Sequence, residues 1–362
     1  MLVTAIEAKP LRSLDRVRVE LPPGIVSVIG PNGTGKTNLI EAIYFALTGR
    51  SFRTSDRRDL IPFGGNLARV EATVGGEDGI EHRLLAAVSR GEGRRHLLDG
   101  NPADPGTLAR SRPPVAVFAP DRLTLVKGAP AERRAHLDGF VAARWPSRAE
   151  LRKRFGQSIA QRNALLSRLS AGYGAPQDLG IWDAALAGAA APLIEARSEA
   201  VAELAGAFSA AARELGLDAA ELEYAPRAEG TEAEIRVGLE QRRDQDIRMG
   251  RSSWGPHLDE LKLLAGKKSL RKYGSQGQQR TALLALLFAE REALLAARRV
   301  TPLLLLDDVM SELDPGRRER LVARLGDGGQ VLITAADEES VPAAARETVV
   351  RMPLPQTESL RE

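Results

Sequence analysis

The residues with the plainest chemical meaning in this 362-residue chain are Gly30, Gly35, Lys36 and Thr37, inside the stretch GPNGTGKT at 30–37. They fit the pattern G-x-x-x-x-G-K-[ST]. Its glycines let the backbone curl until several N–H groups point inward at phosphate oxygens. Lys36 is then placed to reach the β- and γ-phosphates of a nucleotide, and the Thr37 hydroxyl to ligate Mg²⁺. Asn32, Gly33 and Asn38 complete the candidate phosphate contacts. Lysine is scarce, 8 against 43 arginines, so the single lysine of the loop stands out.

Such a loop needs an acidic partner, and TPLLLLDDVMSELD at 301–314 supplies one. Asp307 and Asp308 follow the apolar run Leu303 to Leu306, at the strand end where ligands bind in open α/β sheets. Asp307 is expected to hold Mg²⁺ through water, and Asp308 to orient or deprotonate the attacking water. Between loop and acids lies YGSQGQQRTALLALLFAERE, where Ser275 and Gly277 open a leucine-rich helix and make a second anion-binding helix start. Within one chain that second start has no evident use. Across a dimer it can close on a partner's nucleotide.

The elements that must position these groups are also legible. GIVSVIG is a short apolar run ending at Gly30 and predicts a buried strand. KTNLIEAIYFAL predicts an amphipathic helix with Leu39, Ile40, Ile43 and Leu47 inward. Residues 80–125 contain β-like stretches such as PPVAVFAP, and residues 129–250 read as alanine-rich helices with breaks at AGYGAPQD and YAPRAEG. No sustained heptads predict a long coiled coil. With 43% hydrophobic residues the chain can build a core, and with no cysteine it has neither disulfides nor thiolate metal sites. His82, His96, His136 and His257 lack metal-ligand spacing. The N-terminus does not read as a signal peptide and no run was expected to reach membrane-span length, so the expectation is a soluble, cytoplasmic protein.

In this order, GPNGTGKT, SQGQQ and LLLLDDVMSELD resemble the ABC-type ATPase head. The particular wording resembles the RecF recombination-mediator family, relatives of the SMC proteins. LIEAIYFALTGRSFRTSDRRDLIPFG, VFAPDRLTLVKGAPAERRAHLD and WGPHLDEL support it, and the likeness runs from near the N-terminus to about residue 340. The fold it implies is α/β: a phosphate-loop lobe with a β-rich N-terminal part, and a mainly helical second lobe. The expected boundaries are 1–125 and 251–350 for the ATPase lobe, 126–250 for the helical lobe and 351–362 for a frayed tail. The resemblance implies ATP and Mg²⁺ as cofactors. Lys36, Asp307 and Asp308 are then the catalytic set. Ser275, Gln276, Gly277 and Gln278 form the signature that meets the γ-phosphate of the partner subunit. Ser311 to Asp314 line the dimer interface, and Arg53 in SFRT matches an arginine linking DNA contact to ATP. It further implies an ATP-driven homodimer on duplex DNA at gap junctions, a weak DNA-stimulated ATPase, and RecR and RecO as partners, with no membrane. Three departures stand out: Thr334 where a switch histidine belongs, Asp308 in place of a glutamate, and no glutamine near FAPDR, where Asp121 is a weak substitute.

Net charge is only +3, so DNA binding has to come from a local patch. Residues 127–168 carry ten Lys/Arg against three acids, while 218–246 carry nine acids against four arginines. Arg133, Arg134, Arg152 and Arg154 are therefore expected to meet DNA phosphates, along with Arg53. Aromatics make up 4%, too few for a base-stacking platform. Two rivals share parts of the pattern: the ATPase subunit of an ABC transporter, and a P-loop kinase or GTPase acting alone. SFRT and the long insertion speak against the first. The SQGQQ helix start and the lack of N-K-x-D speak against the second. Lys36→Ala is expected to abolish ATP hydrolysis, since the phosphates lose their fixed cation; undiminished turnover in a clean preparation would remove the phosphate-loop assignment.

Overall fold

Two burial patterns sort the strands of this chain. In LARVEATVG every second residue is buried, the mark of a strand with one face on a core. In LLLL at 303–306 every residue is buried, as expected of a parallel strand covered on both sides. The computed structural model describes residues 1–54, 56–76, 79–91, 93–298, 300–326 and 328–352. The chain divides into two compact units. The first comprises Met1–Leu123, Glu214–Gly216 and Leu294–Glu362, and the second Thr124–Arg213 and Leu217–Ala293.

The chain opens with β1 (Leu2–Ala8), β2 (Val17–Glu20), β3 (Gly24–Ile29) and α1 (Lys36–Thr48). Next come β4 (Leu67–Gly75), β5 (Glu81–Ser89), β6 (Gly93–Leu98), β7 (Asn101–Pro102), α2 (Pro105–Arg110) and β8 (Val115–Phe118). The second unit supplies α3 (Thr124–Lys127), α4 (Pro130–Arg144), α5 (Leu151–Ser170), α6 (Leu179–Glu214) and β9 (Ala220–Ala225). It continues with α7 (Glu232–Glu240), α8 (Arg243–Met249), β10 (Glu260–Ala265), β11 (Lys268–Ser269), α9 (Leu270–Tyr273) and α10 (Gln276–Arg298), whose last turn from Leu294 on is counted with the first unit. The first unit is completed by β12 (Leu303–Leu306), α11 (Pro315–Leu325), β13 (Gln330–Ala335) and β14 (Thr348–Arg351).

In the first unit a parallel sheet of order β14-β3-β13-β12-β8 carries the phosphate loop and the acidic pair at its C-terminal edge. An antiparallel sheet of order β2-β1-β4-β5-β6-β7 is the β-rich N-terminal part. Helix α1 packs against both, and its core merges with theirs. Leu39, Ile40, Ile43 and Leu47 are buried as expected of an amphipathic helix, but Ala42 and Phe45 on the side opposite Ile40 and Leu47 are buried too, as in a helix enclosed by a core. β14 reaches Arg351, where its partner is Ile29, so the expected tail starts later than residue 351. Residues 353–362 lie outside the described residues.

The second unit is mainly helical, as expected of 126–250, with two corrections. AELEYA is a strand, β9, and the burial alternation of its first four residues overrides the helical cast of its neighbours. Residues 251–293, expected with the ATPase lobe, join this unit, because β10 pairs along its length with β9. Also, α6 is long and apolar enough to count as a membrane span, with mean hydropathy 1.3 in its best window. Its Leu186, Leu193 and Ile194 are buried in a cluster with Phe155, Ile235 and Leu239 of the unit's other helices, so it is a core helix of this unit.

Buried charges tie this unit together. Arg162 has no exposed surface and donates to Asp183 and Asp246, both at 2.7 Å, and to Ser252. Arg197 of α6 forks onto Asp138 of α4 at 2.7 and 3.0 Å, and also reaches Asp259 and the Pro256 carbonyl. Removing one partner of such a pair strands a charge in low dielectric. Arg197→Met is therefore expected to cost about 3–5 kcal/mol in urea unfolding; a loss below about 1 kcal/mol would mean water reaches the site.

Candidate nucleotide site

The loop after β3 is closed by left-handed glycines, Gly33 at φ 87° and Gly35 at φ 93°. A Cβ on Gly33 would meet nothing within 4 Å, so glycine there is set by its left-handed backbone and not by crowding. A Cβ on Gly35 would sit 2.8 Å from Leu14, so the loop also needs glycine to lie against the β1–β2 turn. Lys36 begins α1, and its Nζ donates to the carbonyls of Gly30 at 2.5 Å and Pro31 at 3.0 Å. The ammonium is thus folded over the loop, on the ground the phosphates are expected to take. Asn32 is exposed at the tip.

The acidic pair meets this loop through Asp307. Thr37 donates to Asp307 Oδ1 at 3.1 Å, and Thr334 of β13 donates to the same oxygen at 2.8 Å. The Thr334 hydroxyl in turn accepts the backbone N–H of Asp308 at 2.8 Å. The residue at the switch-histidine position therefore organises both aspartates. Asp308 itself is left-handed at φ 48°, an uncommon conformation for a side-chain-bearing residue. Burial pushes the Asp307 carboxyl above its ordinary range and Asp308 adds to this, while the hydroxyls of Thr334 and Thr37 and the Arg53 guanidinium pull it down. A buried carboxylate held by two hydroxyls, one of them at the start of the phosphate loop helix, fits a Mg²⁺–nucleotide. The metal would supply charge neutralisation at the phosphates.

Glu41 went unremarked in the sequence. It is fully buried within the apolar run of α1, and its carboxylate accepts from Arg12, Ser51 and Arg53. A lone acid inside NLIEAIYFAL was the available signal. Arg53 also donates to Asn38 Oδ1 at 3.2 Å, and Asn38 Nδ2 donates to Ser13 at 2.7 Å. So Arg53 and Asn38 brace each other beside the loop, and Arg53 lies within the field of Asp307. The Asp121 side chain lies outside the described residues.

Ser275 to Gln278, the expected signature, belong to the second unit. Ser275 caps α10: its Oγ accepts the Gln278 N–H at 3.2 Å, and its own N–H donates to Gln278 Oε1 at 2.9 Å. This reciprocal capping box fixes the helix start. Ser275 and Gln276 are exposed, whereas Gln278 is turned back into the cap; Gly277 is half-buried. Ser311 donates to the Asp308 carbonyl, and Asp314 caps α11 by accepting from Arg317 N–H at 3.0 Å.

The expected DNA arginines fare differently. Arg133 is 2% exposed; it holds Glu260 at 2.7 Å and the carbonyls of Leu125, Val126 and Gly128. It is a structural clamp, not a surface cation. Arg134 is half-buried and donates to the Asp259 carbonyl. Arg152 lies 3.7 Å from Asp138, and only Arg154 is exposed without such a neighbour. Arg144 and Arg148 pair with Glu203 and Glu199 of α6. Four of the ten basic residues of 127–168, namely Arg133, Arg144, Arg148 and Arg162, pair with acids from elsewhere in the chain, which a one-dimensional charge count cannot reveal.

The raised pKa of Asp307 has a thermodynamic sign. Ionised at neutral pH, it costs the folded state, and the cost disappears as pH falls below the usual carboxylate pKa of about 4. Asp307→Asn keeps an oxygen for both hydroxyls. It is expected to raise the melting temperature at pH 7–8, to lose that advantage in acid, and to abolish the rise produced by MgATP. A lower melting temperature at neutral pH would show that the ionised group is not destabilising.

A family model described as RecF/RecN/SMC N terminal domain matches residues 2–358. A DNA replication and repair protein RecF of Streptomyces avermitilis is 36% identical over 374 residues, covering 96% of this chain and 98% of that protein. Its counterpart in an Anaeromyxobacter species is 37% identical over 361 residues, covering 96% of each. The solved recombination mediator protein RecF-ATP of the RecFOR pathway matches with a TM-score of 0.85 at 27% identity, over 94% of this chain and 93% of that one. An Smc head bound to the C-winged helix domain of ScpA, 17% identical with a TM-score of 0.58, shares the fold. With its phosphate loop, acidic pair and capped signature helix on this architecture, the chain belongs to the RecF family.

Proposed function

We propose that this chain is an ATP-dependent DNA-binding ATPase of recombinational repair. The observation that carries the proposal is the division of labour among its phosphate-binding groups. Lys36, Thr37 and Asp307 assemble in one unit, while the exposed Ser275 cap is presented by the other. On this view ATP and Mg²⁺ bind at Lys36, Thr37 and Asp307. Two chains then close so that each Ser275 helix start faces the γ-phosphate held by its partner, with Ser311 and Asp314 near the seam. Thr334 fixes Asp307 against the metal and presents Asp308 toward the attacking water. Aspartate is shorter than the usual glutamate, so turnover is slow and ATP acts as a timer for the closed dimer. The closed dimer holds duplex DNA at gap junctions and helps load recombinase in the cytoplasm, with RecR and RecO as partners. That last step rests on kinship with relatives described as DNA replication and repair proteins and as members of the RecFOR pathway. The transporter and lone-NTPase readings lose ground to the family match over nearly the whole chain.

A mixing experiment tests the shared site. Lys36→Ala spoils a chain's own nucleotide grip, and Ser275→Arg spoils the cap it offers its partner. In an equal mixture half the dimers are mixed, and each of these has one intact site and one doubly broken one. ATPase activity should return to about a quarter of wild type, from two variants inactive alone. No recovery, with both variants folded and Ser275→Arg still binding ATP as a monomer, would favour a self-contained site.

A further inference from the structure

Helix α1 ends against a group of cations that the nucleotide site does not use. Gly49 closes the helix in the left-handed conformation, and a Cβ there would fall 2.3 Å from the His96 ring. Only glycine lets the helix end rest on this imidazole. His96 lies on β6, and Arg94, two residues earlier, projects to the same side of the sheet. Arg50 follows the helix end, Arg57 opens the short helical turn Arg57–Leu60, and Arg112 follows α2.

We infer that this corner is a phosphodiester site, at which the guanidiniums around His96 grip the backbone of duplex DNA. The inference rests on the DNA-binding function proposed above. Its physical basis is an excess of unopposed charge. Among the described residues no carboxylate pairs with Arg50, Arg57 or Arg94. Burial, then Arg94 and Arg50, pull the Arg57 pKa below its ordinary value. Burial, then Arg94 and Arg112, push His96 down to about 4, so the ring is neutral at physiological pH. One side of the ring bonds the Phe45 carbonyl of α1, and its Nε2 has no hydrogen-bond partner among the described residues. Crowded cations beside a neutral imidazole are costly in the free protein. A phosphate would relieve that repulsion, accept forked guanidinium bonds and let Nε2 take up a proton. Arg50, Arg57 and Arg94, brought together from three segments, exceed what a single protein carboxylate needs. They suit phosphate oxygens, which anchor a duplex without reading its sequence.

The test uses the full chain, a 30-base-pair duplex, and the variants Arg57→Gln, Arg94→Gln and their double. Wild type and variants should bind MgATP equally, as a check on folding. Each variant is expected to melt higher than wild type, because relief of repulsion outweighs lost packing, whereas a merely structural arginine would lower the melting point on removal. Duplex affinity should fall at least tenfold in the double variant. The slope of log K against log salt should flatten by about 0.9 per lost phosphate contact. The His96 ring resonance should titrate near 4 in the free protein and markedly higher with duplex bound. Unchanged affinity and slope in the double variant, with wild type binding normally, would overturn the site and leave the DNA-binding function standing. Failure of wild type to bind duplex at all would overturn both. If inorganic phosphate shifts His96 as far as duplex does while the variants keep duplex affinity, the corner is a free-phosphate pocket and the DNA assignment fails. If polyglutamate displaces duplex and binds more tightly, the partner is an acidic protein and the assignment fails as well.

Discussion

A single carboxylate oxygen, Asp307 Oδ1, receives the hydroxyls of Thr37 and Thr334. Those two residues belong to the first turn of α1 and to the middle strand β13, while Asp307 ends β12. One acceptor atom therefore fixes the relative height of three elements of the parallel sheet layer. The register agrees: Leu306 stands opposite Ile333, which brings Asp307 level with Thr334. The burial that makes this oxygen a good anchor also makes its charge expensive, and the same expense makes a divalent cation welcome. Stability and ligand affinity are opposed at this atom, as is common where binding groups are prearranged.

Around that anchor the first unit gathers further charge at one buried acid. Glu41 offsets Arg12 and Arg53 inside a core that would otherwise tolerate neither. Arg12 adopts φ 49°, a left-handed conformation, and its backbone N–H reaches the Leu60 carbonyl. The β1–β2 turn, α1 and the strap through Ser51 thus meet at one buried acid. The second unit repeats the strategy with Arg162 and Arg197, each spanning helices that are distant in sequence.

How much of this was legible depended on range. Gly30 to Thr37 announce their loop because the backbone geometry they need is local. Leu303 to Asp308 announce theirs because a run of four leucines between Pro302 and an acidic pair is too short for a helix and reads as a covered strand. Ser275 and Gln278 fall three apart, and their reciprocal cap follows from that spacing alone. Charge was harder. Arg133 and Arg154 look equivalent in the sequence, yet one is clamped by Glu260 from 127 residues away and the other is exposed. The arginines around His96 are scattered from 50 to 112 and have no sequence signature, because the sheet and α1 bring them together. β9 was missed where its alternation was short and alanine-rich neighbours dominated.

Helix α1 has its phosphate loop at one end and the His96 corner at the other, and it is walled in by apolar side chains between. Thirteen residues span about 20 Å of rigid rod. A helix so enclosed cannot bend or roll without breaking its packing, and a displacement at Lys36 has to emerge at Gly49 almost undiminished. The absence of any side chain at Gly49 then sets the mechanical tolerance of the linkage: the rod bears directly on an imidazole, with no methyl group between them to act as a cushion.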